Sequence, residues 1–507
     1  MEIATLQPLP GLLDRERIIA APGFNRWLVP PAALAIHLCI GMAYGFSVFW
    51  LPLSRALGVT QPIACADLTL GRALFTTTCD WRVADLGWMY TLFFVFLGSS
   101  AALWGGWLER VGPRKAGVVS AVCWCGGIVL AAIGVMVHQL WIMWLGGGVI
   151  GGIGLGLGYI SPVSTLVKWF PDRRGMATGM AIMGFGGGAM IGAPLANLLM
   201  TYFRTPTSVG VWETFLVLAA LYFVFMVSGA FSYRVPSAEA SVAAPSVHFN
   251  DALKTKQFWL IWAVLCLNVS AGIGVIGMAS PMLQEIFGAS AAVAAGFTGL
   301  ISLFNIGGRF FWASLSDHIG RKATYATFFL LGIALYASAP SLARAGSQAA
   351  FVLAVCVIVS MYGGGFATIP AYLADTFGTQ YVAAIHGRLL TAWSTAGIIG
   401  PVLVNYIREA QIAAGVPRQQ VYDFTMYILA GLLVLGFVAN ALVKPLSERW
   451  FGKAQQFPNP KPQIPNPNIS ESLGLRTALA WTAVGVPLAW GTWVTVAQAV
   501  VLFTGGR

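Results

Sequence analysis

Long apolar runs with almost no charge inside them constrain this 507-residue chain more than any other feature. They fall near 28–54, 86–108, 116–137, 140–167, 175–203, 212–233, 257–284, 293–315, 323–342, 349–374, 382–407 and 422–443. A helix rises about 1.5 Å per residue, so about 20 residues cross a hydrocarbon layer of about 30 Å. With no water in that layer, each run must satisfy its own backbone groups, which selects α-helix. Only 9% of the residues are charged, against about 25% in a soluble domain. The expected fold is therefore an all-α integral membrane protein. The net charge of +11 does not argue for nucleic acid, because the basic residues lie in short connections rather than on one soluble face. The first 26 residues are polar and lack the pattern of a cleaved secretory signal.

The chain repeats itself. Glu109-Arg110-Val111-Gly112-Pro113-Arg114-Lys115 returns as Asp317-His318-Ile319-Gly320-Arg321-Lys322, each between two apolar runs. Pro162 and Pro194 have counterparts at Pro370 and Pro401. Two similar halves are the layout of a carrier that rocks about a central site. The reading is a cytoplasmic N-terminal segment 1–27 and a six-helix half 28–233 with an outer insert at about 55–85. A linker 234–256, rich in Pro, Ser and Ala, precedes a second six-helix half 257–445. Lys and Arg concentrate on one side, around Arg110, Lys115, Lys168, Arg174, Arg234, Lys256, Lys322 and Lys444. The other side holds only scattered arginines such as Arg55, Arg204 and Arg418, so the repeated loops are expected to face the cytoplasm.

A polar, Pro-rich connection 446–474 leads to one more apolar run, 475–503, with Trp481, Trp490 and Trp493. It is long enough to span with tilt and is expected to be a thirteenth transmembrane helix; the alternative is a helix lying in the interface. Five of the seven cysteines lie in apolar runs and read as packing residues. Cys65 and Cys79 lie in the outer insert, where a disulfide or two free thiols are both open readings. No Cys/His spacing suggests a metal, and no cofactor motif occurs: the Gly-rich runs lie inside apolar segments and lack a following Lys-Ser/Thr.

One full charge is expected deep in the bundle: Arg309, within Asn305-Ile306-Gly307-Gly308-Arg309-Phe310. Placing it there costs about 2.5–3.5 kcal/mol. No Asp or Glu falls deep in any run, so the simplest partner is an anionic substrate, and a planar fork suits a carboxylate. The competing reading is an arginine reaching the surface or bonded to carbonyls. Gly307 and Gly308 are expected to leave room beside it. His37 is the deep group that titrates near neutrality, read either as a proton site or as a packing residue. Arg388 is either an access-side cation or a helix-end residue.

Tyr159-Ile160-Ser161-Pro162-Val163-Ser164-Thr165-Leu166-Val167-Lys168-Trp169-Phe170-Pro171-Asp172-Arg173-Arg174-Gly175 resembles the loop after the fourth helix in the oxalate/formate antiporter family of the major facilitator superfamily. The segment Glu109 to Lys115 is similar to that superfamily's loop signature, and the resemblance covers about residues 26–445. It implies that Arg309 helps to bind a carboxylate. It also implies an aromatic cage of Tyr44, Tyr159, Phe185, Tyr362 and Phe366, each of which alone would read as packing. The family's oxalate exchanger adds a lysine on the eleventh helix, and Trp393 stands at the matching position here. One cation instead of two argues for a monocarboxylate, since a second carboxylate would stay unneutralised in low dielectric. Glu109, Arg110, Asp317 and Arg321 are the expected gating residues. The tail resembles a small single-span protein, here joined to the carrier.

The expected function is secondary transport of a small organic anion such as formate, lactate or pyruvate by alternating access, in a bacterial cytoplasmic membrane, with protons or a counter-anion as the coupling partner. The alternatives are a dicarboxylate exchanger of the oxalate/formate type and a non-transporting sensor on the same scaffold. No Ser/His/Asp or metal constellation suggests an enzyme.

Overall fold

The protein is described from a computed structural model covering residues 11–65, 69–170, 173–236, 245–451 and 474–504. Pro171, Asp172, Arg507 and most of the Pro-rich connection lie outside the described residues, as does the middle of the linker, 237–244.

The first half holds α1 (Val29–Ile40), α2 (Val83–Val111), α3 (Pro113–Met136), α4 (Leu140–Trp169), α5 (Arg174–Phe203) and α6 (Val211–Ser232). The second holds α7 (Lys256–Phe287), α8 (Ala291–Ile319), α9 (Arg321–Arg344), α10 (Gln348–Phe377), α11 (Val382–Leu389 and Thr391–Ala413) and α12 (Asp423–Leu442). The tail forms α13 (Leu475–Thr504). Among the described residues, twelve stretches are long and apolar enough to cross a membrane, and Leu475–Ala497 of α13 is one of them. The helix carrying Arg309, α8, is not among the twelve; it runs packed between α5 and α10.

Local irregularities follow from sequence. The first apolar run is not one regular helix: beyond Ile40 it tightens to a 3-10 stretch, Gly41–Phe49. Gly41 lies against the backbone of Phe185, where any Cβ would collide. Within α4, the Gly-rich Trp144–Gly151 widens to a π-helix. The two repeated loops turn at Gly112 (φ +83) and Gly320 (φ +86), a region that only glycine enters at no steric cost. That requirement explains why glycine recurs at the same place in both copies.

These loops define one end of the bundle, called here the loop end; the Cys65–Cys79 insert lies at the other. The two cysteines are joined by a disulfide, Cα to Cα 5.7 Å. Asp80 next to it accepts backbone N–H groups from Leu57 (2.7 Å), Gly58 (3.0 Å) and Ile63 (2.8 Å). Trp81 stacks on His138 of the α3–α4 turn at 3.9 Å, and His138 Nε2 donates to Cys79 O at 2.8 Å. The insert is thus pinned to the helix bundle beneath it.

The tail helix α13 lies on the seam between the halves, against α5 on one side and α8 on the other. Trp481 Nε1 donates to Trp27 O (3.1 Å), and Asn25 and Thr477 share a 3.4 Å bond. Nearer the insert end Leu488 packs by Gly187, and Thr495 fills the space over Gly299.

Burial lowers the pKa of His138, while its bond to Cys79 O and the nearby Asp80 raise it by less. Its Nδ1 is buried with no hydrogen-bond partner among the described residues, so protonation there buries an N–H that nothing accepts. A folded-state pKa below the ordinary imidazole value means that this stabilisation is complete above that value, near 6.5, and declines as pH falls towards the folded value. The protection factors of segment 57–63 in hydrogen exchange, taken relative to the intrinsic rate at each pH, should therefore fall between pH 7.5 and 5, and much less so in His138→Gln.

Candidate substrate site

Arg309 sits on α8 and is fully buried. Its Nε donates to Asn305 Oδ1 one turn earlier (2.8 Å), its Nη1 to Ile182 O on α5 (2.9 Å), and its Nη2 to the Tyr44 hydroxyl (3.5 Å). Every one of these partners is neutral. No acidic side chain is bonded to it among the described residues. The reading of a cation without an acid survives, but so does part of its competitor: the guanidinium is bonded to a carbonyl, an amide and a phenol. The room it needs comes from two neighbouring helices, α5 of the other half and α10 of its own. A Cβ at Gly186 would meet Arg309 Nε at 3.1 Å, and one at Gly363 would meet its Cγ at 3.1 Å. Gly307, expected to provide that room, has nothing facing it, and Gly308 instead lets α8 approach the backbone of Ser360.

The rings expected by resemblance converge on this guanidinium. Its central carbon is 5.5 Å from the Phe185 ring, 5.6 Å from Phe366 and 6.0 Å from Tyr44. Such distances place the cation over negative ring faces. Trp393 of α11 contacts Phe366 (4.2 Å), Tyr159 (5.2 Å) and Phe185 (5.4 Å). The hydroxyls of Tyr44 and Tyr362 share a 2.7 Å bond that joins α1's extension to α10, one half to the other. Every ring in the set is at most 5% exposed, so the site is closed from both ends. One cage donor, Trp393 Nε1, lacks a partner among the described residues, and the Tyr159 hydroxyl is directed at Arg309.

Sequence reasoning missed three members. Phe94 of α2 packs on Trp393 at 5.4 Å, and nothing in a run of apolar residues singles it out. Asn305 was visible in principle, because residues four apart share a helix face. His386, against the Tyr159 ring at 6.1 Å, was hidden in the short first piece of α11. His37 is wedged between α4 and α5, with Ala181 O at Nδ1 and Tyr159 O 3.2 Å from Nε2. Arg388 lies away from the cage: it donates to Asn250 (3.1 Å) and covers the Phe249 ring.

At the loop end, Asp317 bridges the halves. Its carboxylate accepts Arg321 Nη2 (2.6 Å) and the N–H groups of Gly175 and Met176 (3.3 Å each), the free donors at the start of α5. Arg321 also binds Asp375 at 2.9 Å. Glu109 pairs with Lys168 at 2.7 Å, within the first half, so it braces α2 against α4 and does not join the halves. Arg110 is exposed. Further contacts across the halves are Thr178 Oγ1 donating to Ala367 O (2.7 Å) and Ser394 Oγ donating to Phe94 O (2.7 Å).

Two packed helical halves that close over one buried polar site define a membrane carrier of solutes. A family model described as Major Facilitator Superfamily matches residues 33–401, and the chain belongs to that superfamily. The oxalate:formate antiporter of Oxalobacter formigenes is 26% identical over 386 residues, covering 74% of this chain and 83% of the relative. The apicoplast pyruvate carrier 1 of Toxoplasma gondii is 23% identical over 441 residues, covering 69% and 78%. Among solved structures, a proton:xylose symporter of the superfamily bound to 6-bromo-6-deoxy-D-glucose has a TM-score of 0.59 at 15% identity, covering 83% of this chain and 96% of that one, a likeness of fold alone.

Asp317 acts on α5 as a capping residue from another helix. Asp317→Ala should cost about 0.5–2 kcal/mol, the usual loss for a helix cap. Asp317→Asn, still an acceptor, should lose less. Thermal unfolding of the two variants in detergent checks the order.

Proposed function

We propose that this chain is a secondary active transporter that carries a small monocarboxylate, such as formate, lactate or pyruvate, across a bacterial cytoplasmic membrane by alternating access. The observation that carries the reading is Arg309: a guanidinium sealed in a ring cage with only neutral partners. A carboxylate supplies the missing charge and matches the planar donor fork. The aromatic walls restrict the acid to a small, flat one. Tyr44, Tyr159, Phe185, Tyr362, Phe366 and Trp393 line the site in this reading, and the Tyr159 hydroxyl beside Arg309 and the unpartnered Trp393 Nε1 donate to the acid's remaining oxygens. The printed name of the Toxoplasma gondii relative, a pyruvate carrier, is in keeping with this class.

Alternating access needs the latch at the loop end to open. Asp317 and Arg321 form that latch: Asp317 ties α8 to the start of α5, and Arg321 holds its carboxylate in place from within the second half. Glu109 and Arg110 belong to the same loop signature, with Glu109 stiffening the first half. The rocking units are residues 28–233 and 257–445. Closing the site expels water from around the guanidinium, which strengthens its grip on the anion.

Exchange of a dicarboxylate is the second reading, favoured by the printed name of the Oxalobacter formigenes relative. The presence of Trp393 at the expected place of a second cation opposes it. Uptake of a panel of labelled carboxylates into proteoliposomes tests both readings. Undiminished uptake by an inserted Arg309→Gln variant would sink the mechanism; the expected outcome is loss of transport. Arg309→Lys is expected to be poor too, since an ammonium has no bidentate fork.

Trp393→Lys is expected to raise competition by oxalate against the transported monocarboxylate. A variant in which oxalate competes no better than in the wild type would show that this position does not set the charge preference.

A further inference from the structure

Two histidines are sealed inside the membrane part of the described fold, His37 and His386. Both rings lie against Tyr159, at 5.5 Å and 6.1 Å between centroids. Their bonding differs. His37 has a backbone carbonyl at each ring nitrogen. His386 is 1% exposed, and neither its Nδ1 nor its Nε2 has a hydrogen-bond partner among the described residues. A neutral imidazole always carries one donor and one acceptor. Burying both without partners is costly, and native folds rarely keep such a group without a use for it.

Its place suggests the use. His386 lies in the first piece of α11, just before the helix breaks at Leu390. Trp393 of the cage follows seven residues later, about 10 Å along a helix. His386 therefore stands between the cage and the loop end, and Tyr159 is a wall shared by both. The elements packed on this piece bring it no free acid among the described residues, and Arg110 of α2 is an exposed cation. On α2 and α4, Glu109 and Lys168 pair with each other. On α10, Asp375 binds Arg321, and Tyr362 and Tyr372 are phenols. In the turn before α7, Asp251 holds Lys254, and His248 lies against Tyr381. On its own piece, Arg388 is turned to Asn250. An imidazolium at His386 thus has no counter-charge until an anion arrives.

We propose that His386 is the proton-carrying residue of the transport cycle, which makes the carrier a proton–carboxylate symporter. The proposal rests on the monocarboxylate reading above. With the site open to one side, a ring nitrogen takes a proton from water on that side as the carboxylate settles on Arg309. The new N–H and the anion cross together, so the cargo adds no net charge. When the site opens to the other side, that N–H bond breaks, its proton passes to water, and the carboxylate leaves. His386 returns neutral. Each ligand raises the affinity for the other by the same factor, as linkage requires. His37 when neutral donates its one N–H to one of the two flanking carbonyls and fixes the α1–α4–α5 packing; the His37→Gln variant separates the two histidines.

The test uses the purified full chain in proteoliposomes with labelled pyruvate. Counterflow against internal pyruvate needs no net proton movement; accumulation driven by an acidic exterior does. Wild type is expected to do both, and a trapped pH dye should report acidification when pyruvate is added. His386→Gln and His386→Asn should keep counterflow and lose pH-driven accumulation by about tenfold or more. A wild type that shows counterflow but neither pH-driven accumulation nor acidification of the trapped dye would overturn the proposal while leaving the carboxylate reading intact. Full pH-driven accumulation in both His386 variants would overturn it as well, as would its loss in His37→Gln alone. If neither variant folds, diethyl pyrocarbonate modification of wild-type His386, located by mass spectrometry, takes their place: modified carrier that still accumulates pyruvate refutes the role. Absence of wild-type counterflow with pyruvate, lactate and formate alike removes the carboxylate reading and this proposal with it.

Discussion

A cation held in hydrocarbon without an anion sets the terms for the rest of this structure. Arg309 cannot shed its charge, so the fold must offer it dipoles and ring faces. Those come from both halves: Ile182, Phe185 and Tyr44 from the first, Asn305 and Phe366 from the second. The residue proposed above to bind the substrate thereby also draws the halves together. Neutral partners suit this double task. An aspartate in their place would hold the guanidinium far more tightly and compete with any incoming carboxylate.

The glycines follow from that arrangement. For one helix to deliver an arginine into a cage built by α4, α5, α10, α11 and the extension of α1, the backbones must come close. Gly186 and Gly363 make space for the side chain, and Gly308 lets α8 meet Ser360. Tight backbone contact through small residues is the usual way for helices to associate in lipid, where no hydrophobic force sorts them. The smooth surfaces that result can also slide, which a rocking carrier requires.

Much of the fold could be read from the chain because membrane physics leaves few options. Apolar run length located the helices, and the repeat of Glu109–Lys115 at Asp317–Lys322 pointed to two halves. The pattern could not report where a run ceases to be a regular helix, as beyond Ile40 or at Leu390, because hydropathy is blind to backbone geometry. Arg309 was legible as an exception to composition. Its cage was legible only through resemblance, since one phenylalanine among 31 carries no label. Phe94 and His386 stayed hidden for the same reason: their significance lies in contacts between distant helices. Gly307 shows the opposite error, where nearness in sequence was mistaken for nearness in space.

The tail helix upsets the symmetry that the repeat suggests. It is hydrogen-bonded to Trp27, Asn25 and Met190, all of the first half, while it meets α8 of the second half by packing, as over Gly299. Hydrogen bonds resist sliding more than apolar contacts do. If α13 moves with the half to which it is hydrogen-bonded, seven helices turn against six, and the larger body sweeps more lipid per stroke. The pace of the cycle would depend on bilayer viscosity on one flank more than on the other, giving a molecule with a leading and a trailing side.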